Sequence, residues 1–329
     1  MVTPSAARRA YGWHRPLALL AAGSLVLAVA CAAGLLLDDR VLTGAPIWEK
    51  PLKFSISIAV YAVTLAWLVS LLDRWRRLGW ALGTVSAVML TGELVAIVTQ
   101  VVRGRTSHFD FATTFDATVY EAMAVMIATL WLANLALVVV LLGQRQTDAA
   151  LTWALRLGLA IAVVGMGLAY LMTLPTAAQQ RASDQGAEAT VIGAHTVGLP
   201  DGGPGLPLLG WSTVGGDLRI PHFVGLHGLQ VMILLALFLG SRRGRSGRMS
   251  SEAVRVRLVL VTAAAYGAFL AVLTWQALRG QSVVHPDALT MWVTAAVVVG
   301  ALTAYAGVLR QGRPEAVQQQ TRAATPGRR

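Results

Sequence analysis

Arg219-Ile-Pro-His-Phe-Val-Gly-Leu-His-Gly-Leu-Gln230 opens, without interruption, onto an apolar run that ends at Gly240. A run of this length spans the hydrocarbon core of a bilayer as a helix. Polar groups at its mouth are costly and usually carry function. Two histidines, an arginine and a glutamine within twelve residues therefore mark both a membrane span and the first place to look for a site.

The rest of the chain agrees with that reading. Of its 329 residues 56% are hydrophobic and 13% charged, and the mean hydropathy is +0.62, too little polar surface for a soluble globule. The formal charge of +11 does not point to nucleic acid, because the basic residues sit in short segments between apolar runs and no nucleic-acid-binding motif is present. A single cysteine, Cys31, excludes an internal disulfide and a cysteine-only metal cluster. Ala28-Val-Ala-Cys31 imitates a lipoprotein cleavage site, but the apolar run continues beyond it, so the first span reads as an uncleaved anchor.

Eight apolar spans are expected, at 17–37, 54–72, 79–101, 112–142, 152–174, 222–240, 256–278 and 288–309. The fold class is thus all-α, a polytopic transmembrane helix bundle. With the N-terminus in the cytoplasm, most of the 27 Lys and Arg residues fall inside, among them Arg74, Arg76, Arg77, Arg242 and Arg243. Basic residues are retained on the cytoplasmic side during insertion, so both termini are expected there. The acidic residues lean outward, which suggests an outer face with its own work to do.

Residues 1–16 then form a cytoplasmic tail, 17–309 a single transmembrane bundle, and 310–329 a polar cytoplasmic tail too poor in apolar residues to fold. The longest connection, 175–221, is extracytoplasmic. Its polar start could extend the fifth helix, and Gly198-Leu-Pro-Asp-Gly-Gly-Pro-Gly-Leu-Pro207 excludes regular structure. A connection of that length is either disordered or a functional lid.

A weak internal repeat is visible. Lys53, His108, His222 and His285 stand at or before the starts of spans two, four, six and eight, and the separation of the first two resembles that of the last two. Arg105-Thr-Ser-His-Phe109 also resembles Arg219-Ile-Pro-His-Phe223. A 4+4 duplication would produce such spacing.

Several residues are candidates for chemistry. His222 and His227 are five apart, roughly 140° around a helix, so they do not grip one metal unless His222 lies in the turn before it. His227 and Gln230 share a face. Gly225 and Gly228 flank His227, either leaving room for a flat porphyrin with the imidazole as axial ligand or letting helices pack closely. Glu93 and Gln100 lie on one stripe that Arg103 completes, and Glu121 lies well inside span four; carboxylates there are expected to face the bundle interior and find a partner. His108 with Asp110 and Asp116, and His285 with Asp287, are pairs of a kind that can hold zinc, but no metal-binding spacing accompanies them.

Trp48-Glu-Lys-Pro-Leu-Lys-Phe54, Arg103-Gly-Arg-Thr-Ser-His-Phe109 and Gly216-Asp-Leu-Arg-Ile-Pro-His-Phe-Val-Gly-Leu-His-Gly-Leu-Gln230 resemble segments of an uncharacterised group of bacterial multi-pass membrane proteins. That resemblance implies a multi-pass membrane protein but no activity, and the chain's own reading places it in the plasma membrane. Histidines opening several even-numbered helices are also similar in arrangement to haem A synthase, without its motifs. The expectation is an extracytoplasmic-side site of His108, His222, His227, Glu93 and Glu121, with Gln100 and Gln230 beside it. It would bind b-type haem or relay protons and electrons, with Arg105 and Arg219 neutralising acidic groups. A transporter or small-molecule binding protein, and a metal-dependent membrane hydrolase, are the alternatives.

Overall fold

The computed structural model describes residues 12–144, 146, 148–243 and 247–311. The expectations for residues 1–11 and for the tail from 312 onward lie outside the described residues. The long helices are α1 (Arg15–Leu37), α2 (Glu49–Ser70), α3 (Arg76–Arg103), α4 (Thr114–Leu142) and α5 (Ala149–Leu168). After two short helices, α6 (Tyr170–Thr173) and α7 (Ala177–Asp184), follow α8 (Arg219–Ser241), α9 (Glu252–Leu278) and α10 (Ala288–Gln311). Two strand pairs complete the described residues, β1 (Val41–Leu42) with β2 (Ala45–Pro46) and β3 (Thr196–Val197) with β4 (Gly216–Asp217), both antiparallel. The result is an all-α bundle with eight helices long and apolar enough to cross a membrane.

The eight long helices are apolar over most of their circumference, the composition that a membrane-crossing helix needs. Leu17, Ala62, Leu65, Leu137 and Leu159 pack in the main core, while Leu36, Val29 and Leu234 stand 84%, 72% and 65% exposed on the outside. Polar caps set the ends. His14 accepts from the amide of Leu17 (3.3 Å) to start α1, Asp148 accepts from that of Leu151 (3.1 Å) to start α5, and Thr113 accepts from that of Asp116 to start α4.

α2 starts five residues earlier than the expected span, so Lys50 and Lys53 lie in its first turns rather than ahead of it. α8 likewise begins at Arg219, inside the expected connection, and puts His222 on the helix. The polar stretch after span five does not extend that helix. Pro175 interrupts it, and α7 starts afresh with a capping box between Thr176 and Gln179.

Among the first four helices α1 packs on α2, α2 on α3, α1 on α3 and α3 on α4. Among the last four long ones α5 packs on α8, α8 on α9, α5 on α9 and α9 on α10, the same order, and α4 against α5 joins the two groups. The ends of α3 and α9 match in detail. Gly104 and Gly280 both adopt φ +71°, which a side chain would resist. The amide that follows each of these glycines returns to a glutamine carbonyl, Arg105 to Gln100 (2.9 Å) and Gln281 to Gln276 (3.2 Å). The glutamine side chains then donate to Thr106 and Ser282 carbonyls. The spacing expectation fits this order, but the likeness of 105–109 to 219–223 does not: the first lies in the loop between α3 and α4, the second opens α8, and these are not equivalent places.

Candidate functional site

The connections at one end of the bundle form a cover. The segment 185–217 is held to the α3–α4 loop by Phe111 N–H to Thr190 O (2.9 Å) and Ile192 N–H to Phe109 O (3.1 Å). It is held to the α9–α10 loop by Ser282 and His285, which bond the carbonyls of Ser212 and Thr213. Lys53 donates to Glu49 (2.7 Å) and to the carbonyl of Leu209 (2.9 Å), and Arg219 grips Asp217 and the carbonyl of Gly210. The first turns of α2 and α8 therefore clamp the cover at Leu209 and Gly210, just after the Gly/Pro stretch.

Beneath this cover lies a group of titratable side chains. Lys50 Nζ donates to His108 Nδ1 at 3.1 Å, and the Ser107 hydroxyl reaches the same nitrogen at 3.1 Å. Nδ1 is then the acceptor, and the ring carries its proton on Nε2. Phe54, Phe109 and Tyr120 surround the imidazole with ring centroids 6.1, 6.0 and 6.2 Å away. Burial, then the charge of Lys50 and then that of His195, hold His108 well below the usual imidazole range, so it is neutral at pH 7.

His195 packs on Phe109 at 5.0 Å and donates from Nδ1 to Asp201 (2.6 Å). Burial also lowers His195, against the pull of Asp201. For Asp201 burial opposes the charge, but the His195 ring and the amides of His195 and Thr196 outweigh it and hold the carboxylate below its usual range. Both side chains are partly open, 22% and 24% exposed, so this pair links the cluster to solvent.

Glu93 lies deeper than the rest of the cluster, two turns inward of Gln100 on α3. It is 1% exposed, and neither carboxyl oxygen has a hydrogen-bond partner. The charge that acts on it is that of Lys50, which lies beyond ion-pair distance. An unpartnered buried carboxyl is expensive and calls for an explanation.

The expected residues divide. Glu93, His108 and His222 converge at this end, the last with Nδ1 on the carbonyl of Gly165 (2.8 Å) and near enough for its charge to act on His108. His227 is turned onto Phe223, with ring centroids 4.4 Å apart. Gln230 faces Thr64 on α2 at 3.5 Å. Gln100 joins Arg103 and Asp116 in a separate network at the end of α3.

Two expectations are corrected, those for Glu121 and for the two arginines, and two alternatives left open by the sequence are decided. Glu121 is exposed, because its position on α4 faces away from α3 and α5, and it takes no part in the cluster. Gly225 and Gly228 leave no slot for a flat group: a Cβ on Gly225 would meet Gly165 Cα at 2.4 Å, and one on Gly228 would meet Ile161 Cγ2 at 2.4 Å, so both serve the close crossing of α8 and α5. Arg105 and Arg219 are not free to neutralise a ligand's acids, since Arg105 pairs with Asp110 (3.0 Å) and Asp116 (3.2 Å), and Arg219 with Asp217 (2.6 Å). The His/carboxylate pairs are split, as these aspartates and Asp287 hold arginines instead, and among the described residues no three His, Cys, Asp or Glu side chains are grouped to hold a metal ion.

Lys50, His195, Asp201 and Tyr120 complete the cluster without having been singled out from sequence as members of the site. Lys50 carried a signal, being one of only two lysines, at the mouth of a span. His195 and Asp201 carried none, since only the folding of the 185–217 segment brings them over α2 and α3.

The fold and this cluster define a class, helical bundles with multiple membrane-length helices and a covered polar centre at one end. No family model, curated protein or solved structure matches the chain.

Proposed function

We propose that the chain is a multi-pass plasma-membrane protein with cytoplasmic termini and the loop cover outside, and that its covered cluster relays protons between the outer surface and the bundle interior. The placing of basic residues supports the orientation. The observation that carries the relay is Glu93, a buried carboxyl with no partner, facing a lysine whose own hydrogen bond is to a neutral imidazole. Proton transfer needs acceptor and donor to meet, not a cavity. Protons enter at the surface past His195, which the ionised Asp201 holds in place, and pass the neutral His108 to Lys50, whose flexible stem carries one to the Glu93 carboxylate. The products of that last step are a neutral carboxyl and a neutral amine, and the next proton to enter from the outer surface recharges the amine, with His108 neutral before and after.

The test is reconstitution into liposomes holding a pH-sensitive dye, with an imposed pH gradient. Glu93→Gln is expected to lower proton flux at least tenfold, with Glu93→Asp retaining part of it; flux equal to that of the unaltered protein would remove the relay. An absorption spectrum of protein from haem-replete cells tests the haem reading separately, through the presence or absence of a Soret band.

The cover favours a second reading. Lys53 and Arg219 hold backbone carbonyls of one loop from two helices, an arrangement suited to a gate over a small-molecule site. A transporter would show substrate-dependent thermal stabilisation that Lys53→Met weakens.

A further inference from the structure

The matching contact order of the two helix groups exposes a missing contact. α4, the last helix of the first group, packs on α5, the first helix of the second, and Trp131 on α4 donates to the carbonyl of Val163 (3.1 Å). The equivalent contact would set α10 against α1. α10 instead packs on α9 and has no comparable contact with α1; of its described residues Thr290 alone is buried.

α1 carries the complementary gap. The N-caps His14 and Asp148 align α1 with α5, each receiving the amide three residues on, Leu17 and Leu151. In this register Leu20, Ala21, Ser24, Ala28 and Cys31 are buried, as are their counterparts Ala154, Leu155, Gly158, Ala162 and Gly165. The second face differs. Leu159 and Val163, toward α4, are 1% and 9% exposed, whereas their counterparts Leu25 and Val29 are 57% and 72% exposed.

We propose that a second copy of this chain closes both gaps, α10 of each protomer packing on the Leu25/Val29 face of α1 in its partner. The occupant is a second copy because this chain itself carries both members of the missing contact. Exchanging them reciprocally gives a closed two-fold dimer in which the contact joining the two groups within a protomer is repeated between protomers. Apolar helices gain little by hiding from lipid, so complementary packing must drive it. Ala296, Gly300 and Ala304 give α10 an exposed small-residue stripe, and a Cβ on Gly300 would meet nothing within the protomer. The proposal rests on the membrane-spanning reading and not on the proton relay.

The test uses full-length protein in liposomes at low protein-to-lipid ratio. On a Cys31→Ser background, Val29→Cys and Gly300→Cys are introduced singly and together; Gly300 lies midway along α10 on its small-residue stripe. Mild oxidation is expected to yield disulfide-linked dimers from the double variant and none from either single one. Unaltered protein, fluorophore-labelled, should bleach in two steps. A single bleaching step, an internal disulfide in the monomer, equal cross-linking of the single variants, or two-step bleaching with no cross-link from the double variant would each overturn the proposed face. Glu93→Gln should dimerise as the unaltered protein does, which separates this result from the fate of the relay.

Discussion

Lys50 and His108 show how an ordinary pair acquires a special role through placement. In water the two would repel when charged, but burial keeps the imidazole neutral and lets it accept the ammonium N–H. The same burial makes the cluster sensitive to acid. His108 and His195 both have folded-state values below the ordinary imidazole one of about 6.5, so between that value and the lower folded one the unfolded chain binds more protons. Stability is therefore fully present above about pH 6.5 and is lost as pH falls below it. Asp201 adds a second loss, below the ordinary carboxylate value of about 3.9, because its folded value is depressed. Thermal unfolding followed from pH 8 to pH 5 should show a falling midpoint, and His195→Gln should flatten that fall. A midpoint independent of pH over this range would contradict the burial of the two rings.

At the scale of elements the crossing of α5 and α8 is set by glycines. Gly165 and Gly225 bring the backbones so close that any side chain must push the helices apart. Gly225→Leu should destabilise the protein by about 2 kcal/mol or more, as overpacking does, seen as a lower unfolding temperature in detergent. Glu121→Gln, at an exposed position, should leave that temperature unchanged. The cover is a second element with its own stability. Asp201 ties together the amides of His195 and Thr196 and the His195 ring, so Asp201→Asn should raise hydrogen exchange across 190–217 while α2 and α8 keep their protection. Exchange unchanged in that segment would mean that the clamps from Lys53 and Arg219 suffice to hold it.

For the whole molecule, orientation and symmetry govern what the site can do. With the loop cover outside, a cysteine at Thr213 should react with an impermeant thiol reagent in intact cells, and one at Ser250 should react only after the membrane is opened. The reverse pattern would invert the proposed topology. The repeated contact order gives the two helix groups a common frame, but the chemistry is confined to one of them. In the register set by Gln100 and Gln276, the position of Glu93 is occupied by Phe269.

Much of the architecture was legible in the chain because a bilayer imposes a simple rule: each span must be apolar for its full length, so eight runs announce eight helices with ends uncertain by a few residues. Glu93 was legible for a related reason, since polar groups are rare enough in such runs to be conspicuous, and His108 was legible from its place just ahead of span four. The partners were not. Local sequence does not say which face of α4 carries Glu121, that Gly225 meets Gly165, or that Arg105 and Arg219 spend their charge on nearby aspartates. Those outcomes depend on helix rotation and crossing, set by packing between residues far apart in sequence. Composition and hydrophobic runs determined the class of protein and its helices; tertiary packing decided that Lys50, His108 and the His195–Asp201 pair share one covered site, because only the folded 185–217 segment brings its groups over the ends of α2 and α3.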